Sequence, residues 1–182
     1  QPFVDAVLDW TEGRGVDVAL DIMGGEVFSD TFRAMAHYGT LVTLLDPGSS
    51  VQIGEMVLER IEEVTDKPVL AVFNSHIHGD HWLGNQAIRE KYPDVPIYGH
   101  ERVGPKVIAG AGTQWVELML NLTQNATAGT TVVKPDRAVS DGDVIEIDGL
   151  SFAVMNNDKA HTDTDIMLYV ADRGVIFLGD NA

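Results

Sequence analysis

Cysteine is missing from the chain. That removes a disulfide framework, a thiolate metal ligand and a thiol nucleophile, and it leaves the redox compartment unreadable. Cations are scarce as well: 12 Lys and Arg stand against 28 Asp and Glu, a formal net charge of −16. A surface of that sign repels phosphate backbones and anionic lipid at long range, which argues against nucleic acid and membrane partners. No apolar run approaches the ~20 residues that a bilayer-spanning helix needs, and no charged-then-apolar leader opens the chain. The start at Gln1 rather than Met is read as that of a processed, trimmed or excised chain. A soluble protein is expected, cytoplasmic or periplasmic. Asn121-Leu122-Thr123 and Asn125-Ala126-Thr127 fit the glycosylation pattern, a match short enough to arise by accident.

What is present is a core-forming chain of 182 residues, 45% of them hydrophobic, enough for one domain or for one domain with an appended piece. Its densest chemistry lies in Asn74-Ser75-His76-Ile77-His78-Gly79-Asp80-His81, directly after the apolar run Val69 to Phe73. Imidazole nitrogen is a preferred ligand of zinc and other borderline metals, and a carboxylate adds a harder oxygen donor. On an extended or tightly turned segment His76 and His78 can point the same way. Asp80 and His81 start the next element and can face a second position, so one metal or two could be served. Without a metal, so many imidazole and carboxylate groups would repel or desolvate one another.

The pattern His-x-His-x-Asp-His after a strand resembles the signature of the metallo-β-lactamase fold hydrolases. Asp46-Pro47-Gly48 is similar to that family's Asp-x-Gly turn, Ala160-His161-Thr162 to its second histidine motif, and Ile176-Phe177-Leu178-Gly179-Asp180 to its strand ending in Gly-Asp. The resemblance implies His76, His78 and His161 on a first metal, Asp80 and His81 on a second, and Asp180 bridging them. It implies a hydrolase in which a metal-bound hydroxide, oriented by Asp80 or Asp180, attacks a small-molecule substrate. A β-lactam, lactone, thioester or phosphoester would each fit, since the fold does not choose among them. Zinc, one or two per chain, leads because the donors are nitrogen and oxygen without sulfur; iron or manganese would accept the same set.

The first 45 residues read differently. Phe3, Val4, Val7 and Leu8 share one face of a short helix, Thr11 to Gly15 break it, and Val16 to Leu20 form a buried strand closed by Gly24-Gly25. Phe28, Phe32 and Met35 at i, i+4 and i+7 predict a helix with Gly39 at C′, and Leu41 to Leu45 the next strand. This strand-helix-strand order with short connections is a right-handed crossover. It resembles the cofactor domain of the medium-chain dehydrogenase and quinone oxidoreductase family over Gly13 to Leu44. Nicotinamide binding is not carried over, because the Gly-x-Gly-x-x-Gly turn is absent. Two families therefore look joined near Leu44-Leu45-Asp46, giving residues 1–45 as a Rossmann-like segment and 46–182 as the metal-binding region. The expected fold class is α/β: a partial metallo-β-lactamase-like αββα layer behind that segment.

Further on, Ser49 and Gln52 suggest a capping pair, and Ile53, Met56, Val57, Ile61 and Val64 an apolar helical stripe ended by Lys67-Pro68. Val69 to Phe73 is expected to be the strand before the metal loop. Trp82, Leu83, Ala87 and Ile88 supply a packing face, and Val95 to Tyr98 a short strand. His37 and His100 are read as surface or packing residues. Trp115, Leu118, Met119 and Leu122 share a helical face that packs or lines a substrate entrance. Antiparallel hairpins follow, with Asp148-Gly149 suited to a two-residue turn, and the last hairpin delivers Asp180. The chain holds about half of the resembled fold, so a homodimer or a complementary segment is expected to cover one sheet face. The rival expectation is a recombined or engineered chimera that folds and binds metal but has no substrate.

Overall fold

Each run of strands has its own pairing logic, and the site lies where two of them meet. The computed structural model describes residues 2–21, 33–43, 50–156 and 160–181. The chain divides into two compact units, Gln1–Pro47 and Gly48–Ala182. Among the described residues no helix is long and apolar enough to cross a membrane.

In the first unit, α1 (Pro2–Trp10) ends where the Thr11 hydroxyl donates to the Val7 carbonyl at 2.7 Å and accepts from the Gly15 N–H at 2.9 Å. Strand β1 (Val16–Asp21) runs parallel to β2 (Met35–Thr43), with Val18 opposite Thr40 and Asp21 opposite Thr43. The expected helix through Phe28 and Phe32 falls on residues outside those described, but its end is corrected: Met35 opens β2 and Gly39 lies within it. Tyr38, Thr40, Val42 and Thr43 favour a pleated strand, and the parallel ladder with β1 outweighs the helical spacing of Met35. The Asp46-Pro47-Gly48 turn and Leu44-Leu45 also lie outside the described residues.

The second unit opens with α2 (Val51–Val64). Its N-cap is Ser50, whose Oγ accepts from the Ile53 N–H, rather than Ser49, and Gln52 donates to the Ala128 carbonyl instead of closing a capping box. The helix stops at Val64 before Lys67-Pro68. Its buried stripe is Val51, Gly54 and Leu58, while Met56 and Val57 of the expected stripe are exposed. The reason is Gly54. A Cβ there would lie 2.4 Å from the Gly84 carbonyl oxygen and 2.8 Å from the Ala87 Cβ, so α2 turns its side-chain-free face to the segment that carries Gly84 and Ala87.

Strand β3 (Val72–Asn74) follows, shorter and later than Val69 to Phe73. After it come a 3-10 turn (Gly79–His81), α3 (Asn85–Lys91) and β4 (Ile97–His100). A short α4 (Val103–Lys106) leads through a π turn into α5 (Gly112–Leu122). Strand β5 (Arg137–Val139) completes a parallel sheet in the order β3-β4-β5. Strands β6 (Val144–Ile147), β7 (Leu150–Asn156), β8 (Ile166–Val170) and β9 (Val175–Phe177) form an antiparallel sheet in sequence order. Asp148 and Gly149 both take positive φ in the β6–β7 hairpin, as a two-residue turn matched to strand twist requires.

Three apolar clusters stack these pieces. Val51, Leu58, Ala87 and Ile88 hold α2 and α3 against Val69 and Val72. Val139, Val154, Ile166 and Leu168, with Phe73 and Tyr98 packed on them, form the core between the two sheets. Trp82, Leu83, Val103, Val107 and Met119 seat α4 and α5 beside the metal loop. The result is the mixed α/β architecture expected, with α2 and α3 on one face of the parallel sheet and the antiparallel sheet on the other.

The close α2–α3 crossing predicts that Gly54→Ala destabilises the chain by ~1–3 kcal/mol through overpacking, although alanine by itself favours a helix by ~1 kcal/mol. Urea unfolding should show the loss for Gly54→Ala and none for Glu55→Ala on the exposed side of the same helix.

Candidate metal centre

The loop after β3 is held before any ligand is considered. Asn74 and Asn85 exchange side-chain hydrogen bonds of 3.1 and 2.8 Å, Asn74 also donates to the His81 carbonyl at 3.0 Å, and the Trp82 indole N–H donates to the Ile77 carbonyl at 2.8 Å. Both amides and the indole are buried, so each is paired as buried polar groups must be. On the facing side, the Ser75 carbonyl accepts from the Ile166 N–H at 2.8 Å, which fixes β8 against the exit of β3.

His161 arrives on the loop between β7 and β8. That loop is braced by Asp165, which is 1% exposed and accepts from the Thr162 N–H at 2.6 Å and the Thr162 hydroxyl at 2.9 Å. The Thr164 hydroxyl bonds Thr162 at 2.9 Å and accepts from the Ile77 N–H at 3.0 Å, so the two histidine loops are joined directly. On its outer side the loop meets Arg102, which donates to the Asp163 carbonyl at 3.1 Å, and Lys106, paired with the Asp163 carboxylate. Asp180 comes from the turn after β9. It reaches the rings because Gly179 takes φ 59° and lies against Ser75, where a Cβ would be 2.8 Å from the Ser75 Cβ.

All six residues singled out in the sequence come together. The His161 Nε2 and His78 Nδ1 are 3.0 Å apart. The Asp180 carboxylate stands 3.7 Å from His76 Nε2, 3.5 Å from His161 Nε2 and 3.4 Å from His81 Nε2, and Asp80 is 3.6 Å from His81 Nε2. One donor atom each from His76, His78, His161 and Asp180 lie within 4.8 Å of one another. His81 turns its ring against His76 at a centroid distance of 4.1 Å, towards Asp80 and Asp180.

Burial drives the His76 imidazole down to about 4, with the neighbouring His81 adding to the effect and Asp180 opposing it. His78 is lowered by burial first and by His161 next. Neutral rings keep a lone pair for a cation. The His76 Nε2 is buried and has no hydrogen-bond partner although it faces the other donors. An orphaned ring nitrogen aimed at two other ring nitrogens and a carboxylate is the donor set of a borderline divalent cation, and the residues fit one.

The sequence reading placed Trp115 among packing or entrance residues, and its ring lies 5.2 Å from that of His78. His100 is buried in β4, with Nδ1 accepting from the Arg102 N–H at 3.1 Å and Nε2 meeting the Asn156 amide, a packing role. His37 lies in β2. Missed altogether were Ser75, whose hydroxyl is 3.1 Å from both His76 Nδ1 and His81 Nδ1, and the Thr162, Thr164 and Asp165 brace. The run Thr162-Asp163-Thr164-Asp165 was the available signal, since alternating short hydroxyl and carboxyl side chains tie loops to their own backbone.

A parallel and an antiparallel sheet that share a His/Asp cluster at their junction define an α/β protein built around a group that could hold a metal. The chain belongs to the metallo-beta-lactamase superfamily, which it matches over residues 36–182. It is 32% identical over 153 residues to a hydroxyacylglutathione hydrolase of Synechococcus sp., covering 83% of this chain and 48% of that protein. A hydroxyacylglutathione hydrolase of Nostoc sp. is 32% identical over 73 residues, 39% of this chain and 26% of the relative. The chain thus spans half or less of these curated relatives. Among solved structures, a subclass B3 metallo-beta-lactamase of Bradyrhizobium japonicum superposes with a TM-score of 0.51 at 20% identity, over 72% of this chain and 49% of that one, a likeness of fold.

Two outcomes are expected. Asp165→Asn sets an amide N–H against a Thr162 donor and should cost ~1–3 kcal/mol in urea unfolding, with faster amide exchange at residues 161–164. For the metal-stripped protein the folded His76 binds its proton only near pH 4, whereas the unfolded one does so near 6.5. The folded state then holds fewer protons between those values, so stability should be full above the upper one and fall as pH drops towards the lower. Urea midpoints across that range would check it.

Proposed function

We propose that the chain is the metal-binding part of a metal-dependent hydrolase that cleaves a small activated acyl compound, a glutathione-type thioester first. One observation carries the reading: three ring nitrogens and a carboxylate oxygen converge on one point, with a fourth imidazole and a second carboxylate beside it. The names of the curated relatives direct the choice among lactam, lactone, phosphoester and thioester.

His76, His78 and His161 would hold a first cation, and His81, Asp80 and Asp180 a second, with Asp180 facing both. Zinc suits this donor set best, and iron or manganese would accept it. When bound, the metal supplies a Lewis acid that polarises the acyl carbonyl and lowers the pKa of water. Asp180 and Asp80 would orient the attacking water, take up its proton and return it to the departing thiolate, so that thioester and water give acid and thiol. Trp115 gives the His78 side of the cluster an apolar wall.

Residues 1–45 are proposed as a separate dehydrogenase-like segment joined to the metal-binding region, without its nicotinamide chemistry, although the superfamily match begins as early as residue 36. A second copy of the chain, or a complementary segment, is proposed to cover β9, where Ile176 and Phe177 are exposed beside a cavity of about 250 Å³ bounded by Phe73, Phe152, Ile166 and Leu168. A clean monomer in light scattering would remove the dimer. The second reading is a chimeric chain that binds metal without turnover, favoured by the second position, where His81 is the one imidazole among the described residues.

Metal content by mass spectrometry of protein purified without added metal should approach two per chain and drop in His78→Ala. Hydrolysis of a 2-hydroxyacyl glutathione thioester should fall by at least ~100-fold in His76→Ala. Metal retained without any thioester turnover would leave the second reading.

A further inference from the structure

We infer that the Ser75 hydroxyl is a positioning group that sets the tautomers of two histidines at once and lets only one of them switch. Its Oγ stands 3.1 Å from His76 Nδ1 and 3.1 Å from His81 Nδ1. A hydroxyl has one proton and two lone pairs, so Ser75 can accept from both rings, or accept from one and donate to the other, but it cannot donate to both. Gly179, packed on the Ser75 Cβ and 3.2 Å from Oγ measured from where its own Cβ would stand, keeps the hydroxyl on the ring side.

The two rings are not equivalent at their far ends. His76 Nε2 is buried and unpartnered, 3.7 Å from Asp180. His81 Nε2 has two carboxylates, Asp180 at 3.4 Å and Asp80 at 3.6 Å. A proton on His81 Nε2 therefore faces two carboxylates, and the same proton on His76 faces one at a longer distance. The favoured metal-free arrangement is His76 with its proton on Nδ1, donated to Ser75, and Ser75 donating in turn to His81 Nδ1, with the His81 proton on Nε2 facing the carboxylates. Both Nδ1 positions are then hydrogen-bonded, and the remaining His81 proton faces the carboxylates. If a cation were held by His81 Nε2, the His81 proton would sit on Nδ1, and the hydroxyl would accept from both rings with its own proton turned away from them. His76 keeps one tautomer throughout, with its Nε2 lone pair already presented, while His81 changes.

This rests on the metal-binding reading for the loaded state but not for the metal-free one, and the test separates them. Long-range proton–nitrogen NMR on histidine-labelled, metal-free protein near neutral pH reads the tautomer of each ring in wild type, Ser75→Ala and Ser75→Thr. Wild type should show His76 protonated at Nδ1 and His81 at Nε2. Ser75→Ala should show a mixture at His76 and a zinc affinity weaker by ~10–100-fold, and Ser75→Thr should restore both. Titration with NMR-active cadmium should move the His81 proton to Nδ1 and couple the metal to Nε2. Wild-type His76 protonated at Nε2, or tautomers unchanged in Ser75→Ala, would overturn the inference even if metal binds. No metal binding with the stated wild-type tautomers would sink the hydrolase reading and leave Ser75 in its role. Because the wild-type spectrum alone can overturn it, the test survives a Ser75→Ala chain that fails to fold.

Discussion

One hydrogen-bond chain holds the cluster together: Ile77 N–H to Thr164, Thr164 to Thr162, Thr162 to the Asp165 carboxylate. It joins backbone between His76 and His78 to residues 87 positions later, so the third imidazole is located by the same bonds that locate the first two. Every donor has an acceptor, and the terminal acceptor is a charged group, which strengthens the bonds it receives. Thr164 and Asp165 are almost wholly buried, where an unpaired hydroxyl or carboxylate would be heavily penalised. The chain is therefore close to all-or-none: either the His161 loop is seated or several buried polar groups lose their partners together.

Around that tie, the electrostatics of the cluster point one way. Four imidazoles are packed with ring centroids 4.1 to 4.9 Å apart along the contacts of His76, and burial pushes His76 and His78 towards neutrality. Protonating them would add like charges in a partly dry pocket, and only Asp180 and Asp80 oppose that. Neutral rings with lone pairs turned inward, next to two carboxylates, are the arrangement that a divalent cation completes and that protons serve poorly.

Legibility in the sequence followed distance along the chain. His76, His78, Asp80 and His81 sit within six residues, so their spacing announced a shared focus. His161 and Asp180 were found by the resemblance of their motifs to a known family, since no local periodicity says that they reach the same point. The short hydroxyl and carboxyl residues Thr164 and Asp165 mark a loop tied to itself, but neither they nor Ser75 announce their distant role, because the link from Thr164 to the Ile77 N–H forms only when the two loops meet. The same limit explains the misread helical stripe. Apolar spacing favoured Met56 and Val57, but the contact face was chosen by a missing side chain at Gly54, which no count of hydrophobic residues registers. Met35 failed for a related reason: a parallel partner strand outweighs local spacing.

Placing the cluster on a seam has a thermodynamic consequence. His76, His78 and His81 belong to the parallel sheet's carboxyl edge, whereas His161 and Asp180 belong to loops of the antiparallel sheet. A cation held by both sets binds the docked sheets and not the separated ones, so it stabilises the docking of β8 and β9 by its own binding free energy at the prevailing concentration. The linkage is reciprocal: whatever loosens the sheets weakens the site by the same amount. The core between them is small, four buried residues with a few aromatic neighbours, and its outer strand β9 has three residues with Ile176 and Phe177 exposed. Asp180 hangs from that short edge strand. Its position against three ring nitrogens therefore depends on how well β9 is covered, and the geometry of the metal site and the burial of an apolar edge become one problem.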